Sequence, residues 1–129
     1  MRKRLPLTED QKKYLIPAFE RKAKSITAID VKDLTSYTDT LILIEGTSQR
    51  QVKSIAEYMI KQLKKQNIKA LGAEGVKDGE WALLDYGDII IHILETETNS
   101  FYDLDGLWAD APRYDLKEFD VTDAPVENE

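Results

Sequence analysis

The sequence contains no cysteine, and histidine occurs once, at position 92. The absence of cysteine excludes disulfide bonds, thiolate metal sites and cysteine nucleophiles, and a lone histidine makes a zinc site unexpected. Long apolar runs are also missing, since a run such as residues 41–44 (LILI) is far shorter than a membrane span. The N-terminus is basic but lacks the apolar stretch of a signal peptide. We therefore expect a cytoplasmic protein that makes no contact with membranes.

Positive charge is scarce relative to negative charge. The 129 residues include 18 Lys and Arg and 24 Asp and Glu, which gives a formal net charge of −6 at pH 7. Bare nucleic acid repels such a chain, so a basic protein surface is the expected partner and sequence-specific nucleic-acid binding is not expected. The hydrophobic fraction of 42% is that of an ordinary globular protein, and the length suits one domain.

The pattern of apolar residues predicts the element order α-β-β-α-β-β-β-α. This order is typical of a single α/β domain in which helices pack on a mixed sheet of about five strands. The predicted strands span residues 26–31, 40–45, 69–74, 81–86 and 88–95. The domain is expected to span residues 1–116. Residues 117–129 are acidic, polar and without periodicity, which predicts a flexible C-terminal tail.

Capping signals and helical spacing predict three helices. The first begins at Thr8, where Gln11 completes a capping box, and ends near Lys24. A kink or a restart is expected at Pro17. The second helix has an apolar face formed by Val52, Ile55, Ala56, Met59, Ile60 and Leu63. The last begins near Asn99, is closed by Pro112, and has an apolar face formed by Phe101, Leu104, Leu107 and Trp108.

The turn at residues 46–48 (GTS), between a buried strand and the second helix, has two interpretations. A glycine turn at a helix N-terminus can bind phosphate through backbone N–H groups. The favoured interpretation is a plain helix cap by Ser48, because such caps are routine and no lysine follows as a P-loop requires.

A related turn opens the active site of nucleotidyltransferases, so an active nucleotidyltransferase or nucleotide-binding domain is the alternative function. Two-metal catalysis requires carboxylates that converge on the ions. The strand at residues 69–74 carries a single acid, Glu74, and a strand would not align Asp85 with Asp88. The sequence therefore predicts no catalytic residue, no metal site and no cofactor.

Aromatic and charged side chains share one face of the predicted strand 81–86. Trp81, Leu83 and Asp85 alternate onto that face, and Asp88 and His92 belong to the matching set on the next strand. A tryptophan flanked by charge is typical of a protein-binding hot spot. A tryptophan that covers the edge of a core gives the same pattern, so both interpretations stay open. A packed or hydrogen-bonded residue is the simpler interpretation of His92, and a recognition role is the alternative.

Four motifs, in this order and spacing, resemble the ribosomal silencing factor (RsfS, or Iojap) family. They are residues 46–52 (GTSQRQV), residues 72–75 (GAEG), residues 79–92 (GEWALLDYGDIIIH), and residues 101–104 (FYDL) with the pair 107–108 (LW). The resemblance extends from about residue 15 to residue 116, which is most of the chain. The run from 79 to 92 is its most specific part.

The resemblance implies a nucleotidyltransferase-like α/β fold without the catalytic carboxylates, and therefore a protein that is not an enzyme. It implies a factor that binds the large (50S) ribosomal subunit through ribosomal protein L14 and blocks association with the small subunit. Such factors repress translation when nutrients are short, appear in large-subunit maturation, and are often homodimers when free. The binding candidates carried over by position are Trp81, Asp85, Asp88 and His92, with Glu74, Glu80 and Tyr86. A generic dimerisation module is a third interpretation.

Overall fold

A computed structural model describes residues 4–119 of the chain, and these residues form one mixed β-sheet with helices on both faces. The strands are Arg4–Leu5 (β1), Ser25–Asp30 (β2), Thr40–Gly46 (β3), Gly72–Glu74 (β4), Trp81–Asp85 (β5), Ile89–Glu95 (β6) and Arg113–Tyr114 (β7). The helices are Glu9–Glu20 (α1), Gln49–Lys65 (α2), Thr96–Tyr102 (α3) and Leu104–Leu107 (α4), and Lys117–Phe119 form one turn of 3₁₀ helix.

The strands follow the spatial order β1-β7-β2-β3-β6-β5-β4. The pairs β3–β6 and β1–β7 are parallel, and the other neighbours are antiparallel. The predicted α/β class with a mixed sheet is confirmed. Two strands of two residues each, β1 and β7, are additional to the five that the sequence predicts.

The helices α1 and α2 cover one face of the sheet. The predicted apolar stripe of α2 is buried there through Val52, Ile55, Ala56, Met59 and Leu63. It packs on alternate residues of the sheet, among them Ile42, Ile44, Ala82, Leu84, Ile91 and Ile93. Because successive side chains of a strand point to opposite faces, Trp81, Leu83 and Asp85 lie on the other face.

The second face of the sheet is covered only in part. A smaller core of Ile29, Val31, Leu41, Leu43, Ile90 and Ala111 lies there, with Leu104 and Trp108 packed against it. The outward residues of β5 are only partly buried, and all three residues of the edge strand β4 are exposed. The open part of this face is therefore the part formed by β4, β5 and the adjoining side of β6.

The predicted capping box at the start of α1 is present. The Gln11 backbone N–H donates to Thr8 Oγ1 at 3.1 Å, and the Thr8 N–H donates to the Gln11 side chain at 2.9 Å. The helix is continuous through Pro17, so the predicted restart is wrong. Pro17 is buried, and the tertiary packing of α1 offsets the backbone hydrogen bond that proline cannot make. The helix ends at Glu20 rather than near Lys24, because Lys22 has a left-handed φ of 57°.

The turn at residues 46–48 forms a helix cap. Ser48 Oγ accepts from the Gln51 N–H at 3.1 Å, and the Gln51 side chain accepts from the Thr47 N–H at 2.7 Å. A Cβ on Gly46 would lie 2.9 Å from a methyl carbon of Val52, so glycine lets the strand pass close to α2. The chain's own side chains therefore engage two of the N–H groups that a phosphate would need.

The predicted last helix is broken into two short helices. Asp103 has a left-handed φ of 47° between α3 and α4, and its Oδ1 accepts from the Gly106 N–H at 3.0 Å. The expected single apolar face is therefore wrong. Leu104 and Trp108 cover the smaller core, whereas the side chains of Phe101 and Leu107 are 80% and 71% exposed.

The ordered packing continues past the predicted domain end at residue 116. The ring of Phe119 stacks on Phe19 with centroids 5.0 Å apart, and the Glu118 carboxylate lies 3.4 Å from Lys12 Nζ. The remainder of the predicted tail, residues 120–129, lies outside the described residues. Between residues 4 and 119, no helix has the length and apolar character needed to cross a membrane.

Candidate functional site

Trp81 and His92 are joined by a hydrogen bond on the partly open face. The antiparallel register pairs Leu83 with His92, so Trp81 lies diagonally across from His92. The indole Nε1–H of Trp81 donates to His92 Nδ1 at 2.9 Å. Because the indole nitrogen can only donate, Nδ1 carries no proton and the neutral imidazole is protonated at Nε2. The bond therefore fixes both the indole orientation and the histidine tautomer.

Burial keeps His92 uncharged. It lowers the pKa of the imidazole from its ordinary value of 6.5 to about 4, so the ring is neutral at pH 7. A neutral imidazole does not form an ion pair with a partner's carboxylate. His92 is thus a hydrogen-bonded residue that holds Trp81, and its predicted role in recognition stays a prediction.

Two exposed aromatic side chains extend Trp81 into a larger surface. The rings of Trp81 and Tyr102 have centroids 4.8 Å apart, and those of Tyr102 and Phe101 are 4.9 Å apart. Tyr102 is 53% exposed and Phe101 is 80% exposed. We call Trp81, Tyr102 and Phe101 the aromatic surface. A contiguous exposed group of large aromatic side chains is typical of a protein-binding site.

Sequence reasoning did not assign Tyr102 and Phe101 to this surface. The helical spacing of residues 101, 104, 107 and 108 favoured a buried stripe. The signal against that interpretation was the Asp103-x-x-Gly106 pattern, because an aspartate that caps a new helix interrupts the old one. The break leaves the end of α3 beside Trp81.

The acidic candidates Asp85 and Glu74 share the face of Trp81, with Asp85 at the far end of β5 and Glu74 beside the middle of that strand. The β4–β5 register places Glu74 opposite Leu83, on the same face. Asp85 lies four residues after Trp81, which corresponds to roughly 13 Å along a strand. Its Oδ1 accepts from the Gly87 N–H at 2.8 Å and shapes the turn to β6, in which Asp88 is exposed.

Tyr86 and Glu80 are not part of this arrangement. Tyr86 packs in the larger core against Tyr14, with ring centroids 5.3 Å apart. Its hydroxyl is buried without a hydrogen-bond partner among the described residues, and burial raises the pKa of the phenol to about 12. The Glu80 carboxylate accepts from the Gln49 side chain at 3.3 Å, at the start of α2. Strand alternation turns these even-numbered positions toward the helices.

The described residues do not assemble an evident metal site. Across residues 4–119, no group of three or more His, Asp or Glu side chains could hold an ion. What the site offers is a rigid aromatic surface, with carboxylates farther along the same face.

The chain matches the family model described as "Ribosomal silencing factor during starvation" over residues 8–129. The chain belongs to the ribosomal silencing factor family. The ribosomal silencing factor RsfS of Chromobacterium violaceum is 37% identical over 74% of this chain and 80% of its own length. A crystal structure of a protein from the same organism has a TM-score of 0.73 at 34% identity, and the match covers 76% of this chain and 82% of that chain. The resemblance found in the sequence is thereby confirmed.

A mouse relative, named mitochondrial assembly of ribosomal large subunit protein 1, is 29% identical over 78% of this chain. The match covers 43% of that longer protein. Ribosomal silencing factors thus have relatives named for ribosome assembly, and the family's description is that of a silencing factor rather than an enzyme.

Proposed function

We propose that this protein binds the large (50S) ribosomal subunit through ribosomal protein L14 and blocks association with the small subunit. In this way it represses translation under nutrient limitation, and it also acts in large-subunit biogenesis. Membership of the silencing factor family supports the proposal, as does the name of the mouse relative, which refers to assembly of the large subunit.

The aromatic surface is the observation that carries the proposal. Binding hot spots are enriched in tryptophan and tyrosine, and burying such rings removes a large apolar area from water. Trp81 is already held by His92 and Tyr102, so it loses little side-chain freedom when a partner covers it. Silencing by this route needs no catalysis, because the bound protein only has to occupy the place where the small subunit docks.

Electrostatics favours a basic partner on the same face. The chain carries a net charge of −6, and the carboxylate of Asp85 and the exposed carboxylate of Glu74 lie on the face of Trp81. Ribosomal proteins are basic, so their Lys and Arg side chains can pair with these groups. Such pairs at the rim of an interface act mainly on the rate of association.

The test of the aromatic surface compares Trp81→Ala and Phe101→Ala with Tyr37→Ala. Trp81→Ala should weaken binding to isolated L14 by about 2 kcal/mol or more, and Phe101→Ala should weaken it with little loss of stability, because its side chain is 80% exposed. Tyr37 is the matched control. It is an aromatic residue that is 60% exposed, but it lies in the β2–β3 loop at the opposite end of the sheet.

Affinity is measured by calorimetry, with a urea unfolding curve for each variant. Asp85→Asn keeps an acceptor for the Gly87 N–H, so it should cost less, and its effect should shrink as salt rises. Normal binding by both Trp81→Ala and Phe101→Ala, or equal weakening by Tyr37→Ala, would contradict this assignment.

Sucrose-gradient sedimentation tests the proposal at the level of the ribosome. The wild-type protein should sediment with isolated large subunits and not with small subunits. Added to dissociated subunits, it should lower the fraction that re-forms intact ribosomes. Equal sedimentation with both subunits would count against it.

We also propose that the protein is cytoplasmic, has no catalytic activity or cofactor, and is a homodimer when free. The Asp85 carboxylate accepts a hydrogen bond from the Gly87 N–H in the β5–β6 turn, which supports the proposed absence of nucleotidyl transfer. Metal-dependent transfer of label from a nucleoside triphosphate, abolished by Asp85→Ala, would overturn that part. Sedimentation equilibrium measures how much of the protein is dimeric, both when it is free and when it is mixed with L14.

A further inference from the structure

Two adjoining grooves follow the exposed side of α2, on the helical side of the sheet. One lies between the end of α1 and the start of α2, and the other continues along α2. Their positive lining residues are Arg21, Lys22, Arg50, Lys53 and Lys61, which we call the basic groove. Only two acids, Glu20 and Glu57, line the same grooves. Positive charge is therefore concentrated here, in a chain whose net charge is −6.

The helix dipole does not account for Arg50, which lies in the first turn of α2, where the partial positive charge of the helix N-terminus disfavours cations. Lys53 lies in the next turn. The first turn of α2 contains no acidic residue. Both side chains belong to exposed residues, and neither forms an ion pair with another described residue. The charge of Arg50 is thus in a place that the helix dipole does not favour.

The basic groove is elongated, and the cation at its centre, Arg21, is held in place by contacts with α2. Arg50 and Lys61 are three helical turns apart, roughly 16 Å along α2, and Lys53 lies between them. The Arg21 guanidinium stacks over the Tyr58 ring at 4.8 Å and donates to Ser54 Oγ, which holds it against the middle of α2. A line of cations of this length matches a chain of regularly spaced negative charges better than it matches one small anion.

We infer that the basic groove binds the phosphate backbone of RNA. This inference rests on the proposed function, because a ribosomal subunit presents ribosomal RNA beside its basic proteins. Of these two components of the subunit, RNA is the one whose charge is opposite to that of the groove. The contacts are to phosphates, so they add affinity without reading sequence.

The groove begins at the end of the sheet that carries the aromatic surface. There β3 ends at Gly46, which pairs with Glu95, and Trp81 pairs with the adjacent Leu94. The helix α2 starts three residues after Gly46, at Gln49. A particle bound at this end of the molecule can therefore contact both faces of the domain. Its protein would lie against the aromatic surface of the sheet, and its RNA would lie against α2.

The test neutralises Arg50, Lys53 and Lys61 together as glutamine. A matched control changes three exposed lysines outside the groove, Lys32, Lys69 and Lys117, to glutamine. Each triple variant removes three positive charges, and glutamine is a good helix former. Binding is measured to isolated L14, to intact large subunits, and to a fluorescently labelled RNA duplex of about 20 base pairs, as a function of salt.

The groove variant should bind isolated L14 as the wild type does. Its binding to subunits and to the duplex should be weaker, with a shallower dependence on salt. Loss of three phosphate contacts predicts that wild-type affinity falls about 30-fold more than variant affinity between roughly 50 and 200 mM salt. The control variant should keep the wild-type slope, and the groove variant should unfold at the same or a higher urea concentration.

Identical salt slopes for the wild type and the groove variant would overturn the inference, as would an equal loss in the control variant. The duplex can also be displaced with polyglutamate or with unlabelled RNA as competitor. If polyglutamate displaces it at the same charge concentration as RNA does, the groove is assigned to an acidic protein segment instead. If wild-type protein fails to bind large subunits, the proposed function fails, and the duplex arm still decides whether the groove binds RNA.

Discussion

The free energy of unfolding should fall when the pH is lowered from about 7.5 to about 5, and His92 should account for a defined part of the loss. It is the only histidine in the chain, and burial lowers its pKa from 6.5 to about 4. Below pH 6.5 the unfolded chain takes up a proton on this residue, while the folded protein does not until about pH 4. The stability from this depressed pKa is therefore complete above pH 6.5 and is lost as the pH falls toward 4.

The size of the loss follows from the two pKa values. One pH unit of difference corresponds to about 1.4 kcal/mol, so the full shift corresponds to about 3 kcal/mol. At about pH 5 the unfolded residue is almost fully protonated and the folded one is mostly neutral, which gives a loss of about 2 kcal/mol. The hydrogen bond from Trp81 acts in the same direction, because a protonated Nδ1 can no longer accept it.

The assay is urea unfolding of the wild-type protein and of His92→Gln at both pH values. Glutamine does not titrate, and its side-chain oxygen can still accept from the Trp81 indole. Carboxylates titrate in both proteins and cancel in the difference. The wild type should lose about 2 kcal/mol more than the variant over this pH range. Equal losses in the two proteins, or a larger loss in the variant, would refute the reasoning.

Two further predictions concern single side chains and use the same unfolding assay. Tyr86→Phe removes a buried hydroxyl that has no partner among the described residues, so stability should stay unchanged or rise by up to about 1 kcal/mol. A clear loss of stability would mean that the hydroxyl is satisfied in solution. Thr8→Ala removes the cap of α1 and should lower stability by about 1 kcal/mol, whereas Thr8→Ser should not. Equal losses for alanine and serine would show that the hydroxyl is not the stabilising group.

The central strands could be predicted because burial of one or both of their faces leaves a pattern of apolar residues in the local sequence. β3 is apolar at successive positions since it is buried on both faces, with Ile42 in one core and Leu43 in the other. β5 alternates because only one of its faces is fully covered, which is why the face of Trp81 was predictable. The most specific family motif, residues 79–92, lies on β5, the turn after it and β6, so fold and resemblance agreed there.

The strands β1 and β7, at one edge of the sheet, could not be predicted, because long-range contacts define them. β1 and β7 are two residues long and pair Arg4 with Arg113, which are far apart in the sequence. A two-residue strand has no periodicity to detect. The position of Tyr102 on the open face could not be predicted for a similar reason, since helical spacing cannot show which part of a sheet is left uncovered.

The candidate surface separates uncharged anchors from charged groups, and this separation has kinetic consequences. At neutral pH the Trp81–His92 pair is uncharged, so covering the aromatic surface does not require the desolvation of an ion. Asp85 and Asp88 lie toward the other end of β5, roughly 13 Å or more from Trp81 along the strand. Changes to Trp81 or Phe101 should therefore act mainly on dissociation, whereas changes to the carboxylates should act on salt-dependent association. The two proposals together reconcile a net charge of −6 with binding to a particle rich in RNA, because the acidic face and the basic groove would each meet a surface of opposite charge.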